Sequence, residues 1–161
     1  MTMKQPFEEA VESHGATVLR VCRAVLGPGP DADDAWSETF LSALRAWPDL
    51  PDDANVQAWL VTVAHRKALD VMRATARRAV PVSEPPEQAS SGGIPGESDD
   101  EVWRAVAALP EKQRLAVAYH YVGGLPHAMT AELLGSTPAA VRRASADGIK
   151  NLRTRLSGAM P

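Results

Sequence analysis

One cysteine, Cys22, stands among 161 residues, so no internal disulfide forms and no thiolate cage for a metal can be assembled. No apolar run approaches the ~18 residues that a membrane-spanning helix needs, and the opening MTMKQPFEEA has no hydrophobic signal core. The histidines fall in no HExxH arrangement, and no GxxxxGK loop is present to cradle phosphates. Strand-like alternation is missing too. Aromatic residues are only 5% of the chain, and the 11 Gly and 13 Pro cluster rather than recur at a fixed period, which excludes a collagen-like chain. The expectation is an all-α, non-enzymatic protein, with the cytoplasm as its compartment.

Net charge is also small, −3, but the average hides a partition. Residues 1–80 carry 9 basic and 11 acidic side chains, residues 81–101 none and 6, and residues 102–161 carry 8 and 3. Within 59–80 five basic residues face a single acid, Asp70. Attraction to phosphate decays over about 8–10 Å at physiological salt, so local sign outweighs the total. Two basic zones flank an acidic spacer.

Apolar residues at three- and four-residue steps mark the helices. Phe7, Val11, His14, Val18, Val21/Cys22 and Val25 make one face over 7–26, closed by Gly27-Pro28-Gly29-Pro30. Asp31 is the expected N-cap of a second helix with Trp36, Phe40, Ala43/Leu44 and Trp47 on its stripe, stopped by Pro48. A third, about 54–79, carries Val56, Trp59/Leu60, Val63/Ala64, Ala68 and Val71/Met72. From Pro81 to about Asp100 the periodicity vanishes into Pro, Ser, Gly and acids, the composition of a flexible acidic linker. Helices are expected again over 101–109, 111–122, 126–134 and 138–157, the last capped by Thr137 with Pro138 in its first position. The predicted fold is two small helical domains: a three-helix bundle over 1–80 and a helix-turn-helix domain over 101–161, joined by the linker 81–100.

The segment MTAELLGSTPAAVRRASADGIKNL has helix-turn-helix form: an apolar helix, a glycine turn and a capped helix. Val141, Ser145, Ile149, Leu152 and Leu156 form its inward stripe, leaving Arg142, Arg143, Lys150 and Arg153 largely free for a partner. Arginine reads guanine edges and anchors phosphates. The 59–79 helix adds Trp59, His65, Arg66, Lys67, Arg73, Arg77 and Arg78, cations that can track a phosphate backbone beside an aromatic that either stacks on a base or packs in the core.

With DADDAWSETFLSALRAW, QAWLVTVAHRKALDVMRATARR and LPEKQRLAVAYHYVGGLPHAMTAELLGSTPAAVRR in this order, the chain resembles bacterial RNA polymerase sigma factors of the extracytoplasmic-function group. The resemblance covers about residues 7–80 and 101–157. It implies that Asp31, Asp34, Glu38 and Leu41 bind polymerase, with Phe40 in the same helix reading as core. It implies that Trp59, Arg66, Lys67, Arg73, Arg77 and Arg78, with Asp70 among them, lie in the −10 segment, and that Thr137, Arg142 and Arg143 meet the −35 element. Partners implied are polymerase core, promoter DNA and a cognate anti-sigma protein, with no cofactor, metal, catalytic residue, membrane insertion or small-molecule substrate. With Trp59 the only aromatic of the 54–79 helix, weak melting and dependence on a well-matched promoter are expected.

The chain departs from the family pattern in its helix-turn-helix. Met129-Thr130-Ala131 replaces a Glu-Ile-Ala run, and Ala144 and Asp147 stand where relatives carry Arg. Asp147 would repel a phosphate, and Gly148 costs a helix about 1 kcal/mol relative to Ala. A stand-alone helix-turn-helix regulator is the alternative reading. The acidic 31–47 helix, which such a regulator does not need, discriminates the two.

Overall fold

The apolar stripe that begins at Phe7 becomes helix α1, Phe7–Leu26, with Glu8 and Glu9 in its first turn, where the helix dipole favours negative charge. The computed structural model describes residues 4–78 and 97–158. Helix α2, Pro30–Ala46, starts one residue before the expected cap. Proline's fixed φ suits the first helical position, so Gly29 is the flanking residue and Asp31 lies in the first turn instead. A 3-10 turn at Trp47–Asp49 follows. Lys4 secures it by donating from Nζ to the Trp47 and Leu50 carbonyls, each at 2.6 Å. Helix α3, Val56–Arg78, is capped by Asn55, whose Oδ1 accepts the Ala58 amide at 3.1 Å.

These three helices close around Val18, Cys22, Ala32, Ala35, Phe40, Ala43, Leu60 and Ala64. Alanines at the contacts let the helix axes approach closely, and the aromatics fill the rim. Trp36 and Phe40 lie 4.8 Å apart between ring centroids, Phe7 and Trp47 5.4 Å, and Trp47 and Trp59 6.2 Å. Phe40 is therefore core, and Trp59 is half-buried against the same cluster. Leu44 corrects the expected α2 stripe: it is 52% exposed, because Ala43 already fills the inward position beside it.

Helix α4 runs over Glu97–Ala107, four residues earlier than expected, so residues 97–100 belong to a helix rather than to the acidic linker. Acids in a first turn are favoured by the dipole, which is why composition alone misplaces this boundary. The rest of the expected linker, through residue 96, lies outside the described residues, as does the expected last helical residue, 79. Helix α5, Glu111–Ala116, does not continue regularly to 122. It widens into a π turn over Val117–Val122, where the Gly123 amide donates to the Ala118 carbonyl five residues back, at 2.8 Å. Helices α6, His127–Leu134, and α7, Pro138–Gly158, complete the chain. A small core of Ala116, Ala131 and Val141, with Ala144 against it, holds them together.

Gly148 has a packing role that helix propensity does not reveal. A Cβ built on it would stand 2.6 Å from Val117 Cγ2 and 3.4 Å from Gln113 Cβ, so the missing side chain is what lets α7 lie on α5 and the π turn. Gly148→Ala gains about 1 kcal/mol of helix propensity, yet overpacking against a stiff branched neighbour costs about 1–3 kcal/mol. The expected net result is a loss of about 1 kcal/mol, read as a lower urea midpoint at unchanged m.

The two helical units share a core that the periodicity does not disclose. Val21, Ala24, Val25, Ala58, Val61 and Ala68 of the first unit pack with Val106, Leu109, Val117, Ala118, Tyr119, Leu125 and Leu152 of the second.

Candidate nucleic-acid interface

On α3, residues 66, 70, 73 and 77 recur at four, three and four residues and so share a face. Arg66, Asp70, Arg73 and Arg77 are all exposed there, as is Arg78, while Lys67 is half-buried. Among the described residues the one ion pair is Arg114 with Glu111, at 3.8 Å. The α3 guanidiniums are thus unpaired within the described chain, and Asp70 partly offsets their field without binding them. Trp59, two turns upstream of Arg66, packs its ring near Trp47 and is half-buried.

Sequence position places His65 with this basic face, and the structure corrects that. It is 8% exposed and turned toward the second unit, its Nδ1 2.7 Å from the Tyr119 hydroxyl. The two rings meet edge to face at 4.9 Å. Burial lowers the His65 pKa, and the Arg66 and Arg73 guanidiniums lower it further. His65 is therefore neutral at physiological pH and contributes no cation to the α3 face.

The helix-turn-helix is built around Gly135, which ends α6 in the left-handed region at φ 64°. The Ser136 amide returns to the Ala131 carbonyl at 2.8 Å, closing the turn. Thr137 then caps α7, its Oγ1 accepting the Ala140 amide at 3.1 Å. The inward stripe holds as expected, with Val141, Ser145 and Leu152 buried and Ile149 and Leu156 partly so. Ala139, Arg142, Arg143, Ala146, Lys150 and Arg153 are exposed. Asp147 is exposed one turn after Arg143, so the outward face is cationic in its second turn, at Arg142 and Arg143, and interrupted beyond it. At the start of α6, His127 stacks on His120 at 3.7 Å between centroids. His120 Nδ1 donates to the Leu125 carbonyl at 2.7 Å, which fixes its ring.

Helix α2 presents a third surface. Asp31, Asp34 and Glu38 are exposed, with Leu41 at 49% and Leu44 at 52%. Acids beside open leucines suit a cationic protein surface with an apolar centre. Leu44 is the residue that sequence reasoning missed here. Its signal is phase alone: periodicity offers 43 and 44 as alternatives for one inward position, and the structure buries Ala43 and leaves Leu44 52% exposed.

Comparison with known proteins gives a family match for each helical unit. Residues 10–78 match the family "Sigma-70 region 2" and residues 99–152 match "Sigma-70, region 4". The chain is 32% identical to the ECF RNA polymerase sigma factor SigD of Mycobacterium tuberculosis, over 97% of this chain and 79% of that protein. It is 33% identical to the ECF RNA polymerase sigma factor ShbA of Streptomyces griseus, over 84% and 79%. Among solved structures, the sigma factor RpoE bound to the anti-sigma factor NepR from Bartonella quintana superposes with a TM-score of 0.70 at 18% identity, covering 93% of this chain and 95% of that one. CnrH in complex with the cytosolic domain of CnrY gives 0.63 at 21%, covering 95% and 88%. At these identities the two structures speak for the fold.

Proposed function

The chain belongs to the extracytoplasmic-function family of RNA polymerase sigma factors, and from that premise we propose how its surfaces divide the work of promoter recognition. Residues 1–80 carry the polymerase-clamp and −10 functions. Asp31, Asp34, Glu38 and Leu41, joined by Leu44, dock on polymerase core, and Arg66, Lys67, Arg73, Arg77 and Arg78 follow the −10 backbone, with Trp59 offering the exposed part of its ring. Residues 97–161 carry the unit that meets the −35 element through Thr137, Arg142 and Arg143, and residues 81–96 join it to the first. The chain acts by binding rather than by catalysis, inside the cell. No described helix is long and apolar enough to cross a membrane. An inhibitory protein partner fits the same reading, since RpoE and CnrH are each seen bound to another protein.

The observation that carries the assignment is the coexistence, in one chain, of two unpaired cationic helix faces with an acidic, leucine-bearing third. A stand-alone regulator would need only one of these. Run-off transcription with core polymerase tests it: promoter-dependent transcript is expected only when both chain and core are present. Tight, specific promoter binding by the chain without core would favour the regulator instead.

On α7 the −35 contact is confined to the first two turns, because Asp147 sits on the outward face one turn after Arg143. Each phosphate contact contributes about 0.9 to the slope of log affinity against log salt. Arg142→Ala with Arg143→Ala is therefore expected to flatten that slope for holoenzyme by about 2 if both meet phosphates. Lys150→Ala, beyond Asp147, is expected to leave it unchanged. Filter binding from low to moderate salt distinguishes these outcomes.

A further inference from the structure

Near the first arginine of α7 stands a ladder of rings that the promoter contacts above leave unused. Tyr121, 55% exposed, sets its ring edge-on to His120 at 4.9 Å between centroids. His120, held by its bond to the Leu125 carbonyl, stacks in turn on His127. The two imidazole planes differ by 23°, so their in-plane lone pairs run side by side. That suits stacking and not joint ligation of a metal ion. His127 is the first residue of α6 and is half-buried, with one ring face lying on His120.

Helix α6 packs chiefly on α7 and the π turn. The groups that face His127 are therefore Arg142 from α7 and His120 with Tyr121 from the π turn. The first turn of α6 carries no acid, and Glu132 lies five residues along, on another side of the helix. Two like charges at stacking distance repel, so the pair takes up at most one proton readily, and Arg142 opposes even that. Desolvation, His120 and Arg142 all lower the His127 pKa from 6.5. The sign reverses when an anion arrives. A phosphate against Arg142 cancels the guanidinium's charge and adds its own within reach of His127, so the complex favours the imidazolium that the free chain disfavours.

We propose that His127 is a further promoter contact of the helix-turn-helix: held in place by its stack on His120, it donates as an imidazolium to the phosphate that Arg142 engages or to the next one, so that binding the −35 element takes up a proton. The proposal rests on the sigma-factor reading above. Its sign follows from linkage. The gain in affinity is complete below the free chain's pKa and is lost as pH rises through the higher value of the complex. Promoter binding through this unit is thereby tightened by acid.

Filter binding of holoenzyme to a promoter fragment that it transcribes, at fixed ionic strength, tests this. The reference is His127→Gln, which keeps a hydrogen-bonding side chain and takes no charge. Comparing the two proteins at each pH cancels the titrations of polymerase core and DNA. Parent and variant are expected to bind about equally at pH 8, and the parent about fivefold more tightly at pH 6. The parent's slope of log affinity against log salt is expected to exceed the variant's by about 0.9 at pH 6, one phosphate contact, and to match it at pH 8. His127→Lys, permanently charged, is expected to hold the about fivefold advantage over His127→Gln at both pH values. A ratio of parent to His127→Gln that does not change between pH 8 and pH 6 overturns the proposal, as do equal salt slopes at pH 6. Holoenzyme that binds no promoter fragment at either pH overturns the sigma-factor reading, and this proposal with it.

Discussion

Charge reversal of Asp34 and Glu38 to lysine is expected to abolish co-purification with polymerase core while leaving thermal unfolding within about 2 °C of the parent. Both side chains are exposed and neither is ion-paired among the described residues, so the fold does not depend on them, and surface changes of this kind stay within about 0.5 kcal/mol. At the interface the balance differs. Placing like charges against a cationic partner costs several kcal/mol, and two such reversals reduce affinity by roughly 100-fold or more. Leu41→Ala and Leu44→Ala separate the apolar share: each removes a half-exposed leucine without touching charge, so a loss of binding at unchanged salt dependence assigns the hydrophobic part of the contact. Retained co-purification of the double reversal would remove α2 from the docking surface.

Tyr119→Ala carries the largest expected stability effect. The side chain is fully buried at the join of the two units, and truncating a large buried aromatic costs about 3–5 kcal/mol through lost transfer and residual cavity. Tyr119→Phe keeps the ring and removes only the hydroxyl, leaving His65 without its partner at a cost of about 1–3 kcal/mol. Equilibrium denaturation of the two variants separates ring from hydrogen bond.

The same pair gives the join of the two units an acid dependence whose sign follows from its surroundings. His65 faces Tyr119 across the join, with Arg66 and Arg73 on its own helix and with Cys22 and Arg114 near the Tyr119 side. Burial, then the two α3 arginines, lowers its pKa from 6.5. The unfolded chain therefore binds the proton more readily, so stability is full above about pH 6.5 and falls as the solution is acidified through the window down to the lowered value. His65→Gln is expected to flatten that dependence, and a melting-temperature series across pH 7.5 to 5.5 measures it.

Helix positions were legible wherever periodicity was strong. The stripes of α1, α3 and α7 and the Thr137 cap follow from spacing and capping chemistry, which act over a few residues and need no knowledge of the partner surface. What escaped was set by contacts distant in sequence. His65 looks like one more cation among arginines until Tyr119, 54 positions away, is seen to receive it. Gly148 reads as a propensity defect until Val117 is found occupying its side-chain space. The π turn has no local signal, and Tyr119 within it is buried at the join of the two units. Of the surfaces, the arginines of α3 and α7 were readable because charge on a helix stays outside unless paired. Leu44 was not, because an apolar residue beside an inward stripe is assigned by phase alone.

Cys22 lies fully buried in the first bundle, and burial there, reinforced by Asp33, pushes its thiol up to about 12. At neutral pH roughly one molecule in 100,000 then holds the thiolate, the form that attacks peroxides and disulfides. Thiol oxidation therefore has almost no foothold on the folded chain, and a stress signal that acts on a thiol would reach transcription through a different molecule.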